Sequence, residues 1–171
     1  APLALKGGTA INLFYNDLPR LSVDLDCVYV DRSVPRAAAL DEINDILRNL
    51  ATDFSATGFK AFTNRSADER LTKILVSDGN ATVKIEVNPV HRGVLLYPEL
   101  MPFAPKVQEL FSTSEKAEIP LLARDELYAG KLVAALDRQH PRDLFDVAVL
   151  MASEGGITET MLDCFTVYLA S

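Results

Sequence analysis

The chain has 171 residues, of which 49% are hydrophobic and 24% are charged. This length and composition are typical of one folded domain, or of one domain with a small appendage, and they exclude a chain that is mainly disordered. The formal net charge of −7 disfavours a protein that coats nucleic acid non-specifically, but it does not exclude a local basic groove. No apolar run approaches the roughly 20 residues that a membrane span requires.

The chain start and the cysteines are the next features of the sequence. The sequence begins at Ala1, and no charged segment followed by an apolar segment comes after it. We therefore interpret the start as a fragment boundary and not as a signal peptide. Cys27 and Cys164 are too few for a disulfide framework, and both lie among apolar residues. We expect two buried thiols and a reducing cytoplasm.

The first elements of the chain follow a glycine pair. Gly7-Gly8 precedes a short helical segment that ends near Asn16, and glycine permits backbone conformations that other residues resist. Residues 20–31 then alternate in polarity. This alternation predicts a half-buried strand with Leu21 and Val23 on its inward face.

A helix and three strands are predicted in the middle of the chain. Residues 35–50 carry apolar side chains at helical spacing, with Pro35 in the position that proline favours at a helix start. The hairpin signal Asp78-Gly79 separates two of the strands that follow. The three strands are predicted at residues 58–64, 71–77 and 82–88.

The last third of the chain is mainly helical in pattern. A short strand ends at Leu121-Leu122, and Asp125 is the predicted N-cap of the next helix. Three helices are predicted at residues 125–138, 141–153 and 158–169. The Pro-rich segment 98–105 and the polar run 112–118 are the candidate linkers.

The order of elements predicts an α+β fold with a mixed sheet, flanking helices and a helical C-terminal portion. We divide the chain into a core at residues 1–95, a linker at 96–118 and a mainly helical portion at 119–171.

Three carboxylates are the first candidate site. Asp24 and Asp26 lie two residues apart on a predicted strand, so they share a face with Cα atoms about 6.6 Å apart. Neighbouring carboxylates repel, and Mg²⁺ offsets that repulsion. Glu86 lies on the polar face of a later strand beside Lys84. If the two strands are neighbours, the three carboxylates converge on one metal ion. The alternatives are an exposed polar face and a solvated glutamate beside Lys84.

A second candidate site lies at Gly7-Gly8-Thr9. A glycine pair at a helix start lets backbone N–H groups approach a phosphate, although a simple turn has the same sequence pattern.

Charged residues of the C-terminal helices form a third group. Lys131 lies on a largely apolar helix face, where it is either a lysine that extends from the core edge to water or a phosphate ligand. Arg142, Asp143 and Asp146 lie in the first turns after Pro141. An Arg142–Asp146 pair at i,i+4 spacing would stabilise the helix, and the local positive charge would also suit a phosphate or RNA contact.

The sequence lacks the residue patterns of several other catalytic and binding sites. The two histidines and two cysteines match neither a nucleophile triad nor the ligand spacing of zinc sites. No Walker A motif is present.

Five segments together resemble a known family. Residues 6–10 (KGGTA) with 20–26 (RLSVDLD) resemble the first motif of the AbiEii/AbiGii toxin family of nucleotidyltransferases, in the DNA polymerase β-like superfamily. Residues 83–87 (VKIEV) resemble the strand that carries the third carboxylate. Residues 125–131 (DELYAGK) and 138–146 (RQHPRDLFD) resemble the C-terminal lysine and R-D-x-x-D motifs.

The resemblance implies a polymerase β-like nucleotidyltransferase fold and a role for each motif. Such an enzyme transfers a nucleoside monophosphate from an NTP to an acceptor hydroxyl and releases pyrophosphate. Asp24 and Asp26 would coordinate Mg²⁺, and Glu86 would complete the set and help to activate the acceptor. Nucleotide binding would involve Gly7, Gly8, Thr9 and Lys131, with Arg142, Asp143 and Asp146 either binding nucleotide or organising the helices.

The resemblance also implies partners. The protein would be the toxin of a bacterial toxin–antitoxin or abortive-infection system, with an antitoxin protein as partner and the 3′ ends of tRNA as a candidate acceptor. Two alternatives stay open. One is a nucleotidyltransferase that modifies a small molecule or a protein, which the acidic net charge favours over RNA. The other is a non-catalytic nucleotide-binding or protein-interaction module.

Overall fold

The computed structural model describes residues 2–65, 70–111 and 118–171. The chain forms two compact units. The first contains Ala1–Leu5 and Val23–Val94, and the second contains Lys6–Ser22 and Leu95–Ser171. Lys6–Ser22 therefore groups with the C-terminal helices, whereas the sequence-based division keeps it in the N-terminal core.

Strands and helices alternate in the first part of the chain, and helices predominate toward the C-terminus. In chain order they are β1 (Leu3–Lys6), α1 (Gly7–Ala10) with a π-helical continuation (Ile11–Tyr15), β2 (Leu25–Tyr29), α2 (Arg36–Ala56), β3 (Lys60–Arg65), β4 (Leu71–Ser77), β5 (Thr82–Val87), β6 (Glu99–Met101), α3 (Pro105–Phe111), β7 (Ile119–Leu121), α4 (Arg124–Arg138), α5 (Pro141–Ala152) and α6 (Glu159–Leu169).

The first unit is built on a mixed sheet with strand order β3-β4-β5-β2-β1. Strand β2 pairs with β5 in parallel, and β4 pairs antiparallel with both β3 and β5. The mixed sheet and the α+β class are thus as predicted. Helix α2 packs on one face through Leu40, Ile43 and Leu47, against a cluster that includes Ile74 and Ile85. Because side chains alternate along a strand, Lys84 and Glu86 lie on the opposite face of β5.

Two predicted elements, one strand and one helix, are wrong in extent. Strand β2 begins only at Leu25, and Leu21 and Val23 are 79% and 57% exposed instead of facing the core. They lie before β2, in a segment that is not part of any strand assigned in the described residues. Helix α2 continues past Leu50 to Ala56, because Leu50 and Phe54 also pack against the core.

The second unit contains the Gly-Gly segment and the C-terminal helices. Fully buried Glu126 of α4 accepts hydrogen bonds from the backbone N–H groups of Leu95 and Leu96 and from the Tyr168 hydroxyl. This one carboxylate therefore ties α6 and the segment after Val94 to α4.

The elements of the second unit differ from the predicted ones at three places. Strand β6 and helix α3 lie within residues 96–118, where we predicted a linker. Helix α4 begins at Arg124 with Ala123 as its N-cap, so Asp125 lies in the first turn and does not cap the helix. Helices α5 and α6 match their predicted ranges closely. Most of the polar run 112–118 lies outside the described residues.

Cys164 is buried as expected, whereas Cys27 is only half-buried at the edge of the first unit's core. Within the described ranges, no helix is long and apolar enough to cross a membrane.

Candidate active site

The first candidate group is a set of carboxylates on the sheet of the first unit. Asp24 immediately precedes β2, and Asp26 lies within it. The parallel pairing of β2 with β5 makes Asp26 and Glu86 direct register partners. The two strands are therefore neighbours, as the predicted convergence of the three carboxylates requires.

Lys84 lies among these three carboxylates. Its Nζ is 2.7 Å from Glu86 Oε2, 3.9 Å from Asp24 Oδ2 and 3.9 Å from Asp26 Oδ1. The hydrogen bond to Glu86 raises the pKa of Lys84 despite its partial burial, and the charges of the three carboxylates raise it further. The lysine therefore stays protonated and offsets the repulsion that we expected a metal ion to offset.

The carboxylates fit a divalent cation in their chemistry but are not closed around one. In the part of the chain that the structure describes, no three Asp, Glu, His or Cys side chains lie close enough together to hold one metal ion. The side chains of Asp24, Asp26 and Glu86 are 53%, 45% and 37% exposed. Carboxylate oxygens are the ligands that Mg²⁺ prefers. The Lys84 ammonium lies among them in place of a metal cation. Metal binding would require these exposed side chains to move closer together.

The Gly-Gly segment of the second unit is packed against Arg20 and Ser22. Gly7 has a φ of 78°, a left-handed conformation that favours glycine. A Cβ added at Gly8 would lie 2.7 Å from Arg20 Nη2 and 3.2 Å from Ser22 Oγ. Buried Thr9 places its hydroxyl 3.0 Å from the same serine oxygen. The segment needs glycine because the Arg20 guanidinium approaches the backbone so closely.

Arg20 is held by a carboxylate from the C-terminal helices. Its Nε and Nη2 donate to Asp146 Oδ1 and Oδ2 at 2.8 and 2.6 Å, a bidentate pair in which the aspartate is fully buried. Lys131 Nζ lies 3.2 Å from Asp146 Oδ2 and 2.8 Å from Asp143 Oδ1. Arg138 donates to Asp143 at 3.0 Å. We call these five residues the ion-pair cluster.

The ion-pair cluster corrects two of our interpretations. Lys131 is buried, and its ammonium is paired with carboxylates instead of extending to water. Asp146 contacts Arg20 and Lys131, so the predicted Arg142–Asp146 pair does not form. Arg142 is exposed, and its backbone N–H donates to His140 Nδ1 at the start of α5.

Burial of Asp143 opposes its ionisation, but its partners outweigh that effect. The hydrogen bond from Lys131 and the charges of Lys131 and Arg138 lower the pKa of Asp143 below its ordinary value. The carboxylate is therefore ionised at neutral pH and matches the two cations beside it.

Sequence reasoning did not assign site roles to Arg20, Ser22 and Lys84. Arg20 and Ser22 stand in the quoted RLSVDLD segment, two residues apart and just before Asp24. That spacing was a usable signal, but the closeness of Arg20 to Gly8 depends on the folded backbone. Lys84 was noted only as a neighbour of Glu86.

Comparison with known proteins identifies the family. One family model matches residues 1–171. The family is described as nucleotidyl transferase AbiEii toxin, type IV toxin–antitoxin system. The chain belongs to the AbiEii nucleotidyltransferase toxin family. The resemblance drawn from the motifs is thereby confirmed. No curated protein matches the chain.

Solved structures with the same fold include MenT4, nucleotidyltransferase toxin Rv2826c from Mycobacterium tuberculosis H37Rv. It is 21% identical, with a TM-score of 0.63 over 98% of this chain and 56% of that one. This AbiEii family member thus spans little more than half the length of MenT4. The antibiotic-resistance factor ANT(2'')-Ia is 14% identical, with a TM-score of 0.45 over 99% of this chain and 82% of that one.

Proposed function

We propose that the protein is a divalent-metal-dependent nucleotidyltransferase that moves an NMP unit from an NTP to an acceptor hydroxyl and releases pyrophosphate. The observation that carries this proposal is the alignment of Asp26 with Glu86 across β2 and β5, with Asp24 beside them and a cation already among the three. Membership of the AbiEii nucleotidyltransferase family supports the reaction class.

The carboxylates would hold the metal, with Mg²⁺ as the expected ion. Asp24 and Asp26 are its proposed ligands on one strand, and Glu86 is the third, from the neighbouring strand. When bound, the ion would offset the negative charge of the phosphates and align the attacking and leaving oxygens. Glu86 is also the proposed acceptor of the proton from the attacking hydroxyl, since its carboxylate is exposed enough to meet a substrate.

The Gly7-Gly8 segment and Arg20 are the proposed phosphate-binding group. Backbone N–H groups at a helix start and a guanidinium both favour anions. Asp146 holds the Arg20 guanidinium from one side, and the same carboxylate also forms an ion pair with Lys131. Lys131, Asp143 and Asp146 therefore act by positioning Arg20 and not by contacting the nucleotide themselves.

The family is that of type IV toxins, so we propose that the protein is a cytoplasmic toxin with an antitoxin partner. An RNA such as tRNA is the proposed acceptor. Arg138 and Arg142 are exposed around the start of α5 and supply local positive charge. The formal net charge of −7 favours the alternative of a small-molecule or protein acceptor.

The acceptor is tested by incubating the purified chain with each α-labelled NTP, Mg²⁺ and total RNA, with Asp24→Asn in parallel. Label that enters an RNA band, and that Asp24→Asn abolishes, supports an RNA nucleotidyltransferase. Label that enters a small molecule or protein instead supports the alternative acceptor. Absence of both transfer and NTP binding would contradict the proposed function and favour a non-catalytic module.

A further inference from the structure

We propose that Lys84 is an internal counter-ion that a divalent metal must displace from Asp24, Asp26 and Glu86, so that the lysine sets how tightly the metal binds. This inference rests on the proposed function, in which the three carboxylates are the metal ligands. It assigns to Lys84 a control of metal affinity rather than a contact with the reacting groups.

The position of Lys84 follows from the strand that carries it. Lys84 lies two residues before Glu86, and residues two apart share a face of the sheet. The side chain turns toward Glu86, where the 2.7 Å contact is a charge-assisted hydrogen bond. The same Nζ lies 3.9 Å from an oxygen of each aspartate. One ammonium group thus lies where a cation shared by all three carboxylates would lie.

The ammonium and a divalent ion compete for the same oxygens. Two cations close to the same carboxylates repel each other, so the lysine must leave Glu86 before the metal binds fully. Side chains of Asp24, Asp26 and Lys84 are all partly exposed, which allows the rearrangement without unfolding the sheet. Without the lysine, the three carboxylates would repel one another and bind a metal more tightly.

Lys73 provides a matched control. It lies on β4 as the direct register partner of Glu86, so it is on the same face of the sheet. Among the described residues it forms no ion pair with the carboxylates. Replacing Lys73 removes the same charge from the same face without removing an ion pair with Asp24, Asp26 or Glu86. A general change in the electrostatic potential would therefore appear in both lysine variants, whereas displacement would appear only at Lys84.

The test is Mn²⁺ binding measured by isothermal titration calorimetry in the absence of nucleotide. We expect Lys84→Met to bind Mn²⁺ about tenfold more tightly than the wild type, as loss of a competing ion pair predicts. Lys73→Met should stay within about twofold, since this lysine forms no ion pair with the three carboxylates. Lys84→Arg keeps the cation and should bind Mn²⁺ much as the wild type does. Thermal melts of each variant establish that it is folded.

The outcomes separate this inference from the function on which it rests. Asp26→Asn should abolish or strongly weaken Mn²⁺ binding in both the wild-type and Lys84→Met backgrounds. If it does, but Lys84→Met binds Mn²⁺ no more tightly than the wild type or Lys73→Met, the counter-ion role is wrong and the metal site stands. If neither the wild type nor Lys84→Met binds Mn²⁺, or Asp26→Asn has no effect, both proposals fail.

Discussion

Replacing Asp146 with asparagine tests how the second unit is held together. Asp146 is fully buried, and its two oxygens bind Arg20 in bidentate geometry while one of them also lies 3.2 Å from Lys131. Asp146→Asn keeps the size of the side chain but removes its charge. Two cations then lose their shared partner.

The structure sets the size of the expected loss. Removing one partner of a buried ion pair typically costs about 3–5 kcal/mol, because the other charge stays buried. Arg20 is 15% exposed and reaches some water, and Lys131 keeps its 2.8 Å contact with Asp143. Both features favour the lower end of that range, so we expect a loss of about 3 kcal/mol in unfolding free energy.

Urea denaturation followed by circular dichroism measures this loss. The control is Asp137→Asn, an exposed aspartate on α4, for which the change should stay within about 0.5 kcal/mol. A loss below about 1 kcal/mol for Asp146→Asn would mean that Arg20 and Lys131 find new partners. The cluster would then contribute little to positioning, contrary to our reasoning.

Two further predictions concern the same unit. Gly8→Ala places a Cβ 2.7 Å from Arg20 Nη2. Because Asp146 holds that guanidinium in place, stability should fall by about 1–3 kcal/mol, while nucleotide transfer falls by up to about 100-fold as the guanidinium is displaced. Wild-type transfer rates in that variant would exclude Arg20 from phosphate binding. Folding lowers the pKa of Asp143. The ionised carboxylate therefore stabilises the folded chain above its ordinary pKa of about 4, and this stabilisation disappears as pH falls through the lower pKa of the folded state. The difference in unfolding free energy between wild type and Asp143→Asn should therefore shrink below about pH 4, and a constant difference down to pH 2 would contradict the ion pairing.

Local patterns predicted the longer elements of this fold. Strict alternation at Thr82–Val87 placed Lys84 and Glu86 on the polar face, and proline marked the start of α5. The three-residue strand β6 and the seven-residue helix α3 are too short to leave a periodic pattern, and they lie in a Pro-rich stretch typical of a linker. Alternation also misled at Leu21 and Val23, because nothing in the pattern marks where hydrogen-bonded pairing begins.

The candidate site was predictable in its residue types but not in its contacts. The carboxylates were apparent from D-x-D spacing and from the polar face of β5, and the motifs supplied the family. The partners of Asp146 could not be predicted from the sequence, because Arg20 lies 126 residues away along the chain. Lys131 likewise pairs with Asp143 only because α4 and α5 pack together. Such long-range pairs depend on tertiary packing, which a single sequence does not encode in local spacing.

The central claim is that Asp24, Asp26 and Glu86 form a metal-dependent nucleotidyl-transfer site. The most direct test is release of pyrophosphate from each NTP, with total RNA as acceptor, by wild type, Asp26→Asn and Asp53→Asn at several Mg²⁺ concentrations. Asp53 is an exposed aspartate on α2 and serves as the control. We predict Mg²⁺-dependent release that Asp53→Asn preserves and Asp26→Asn abolishes. Equal release by wild type and Asp26→Asn, or release that continues without any divalent ion, would contradict the account.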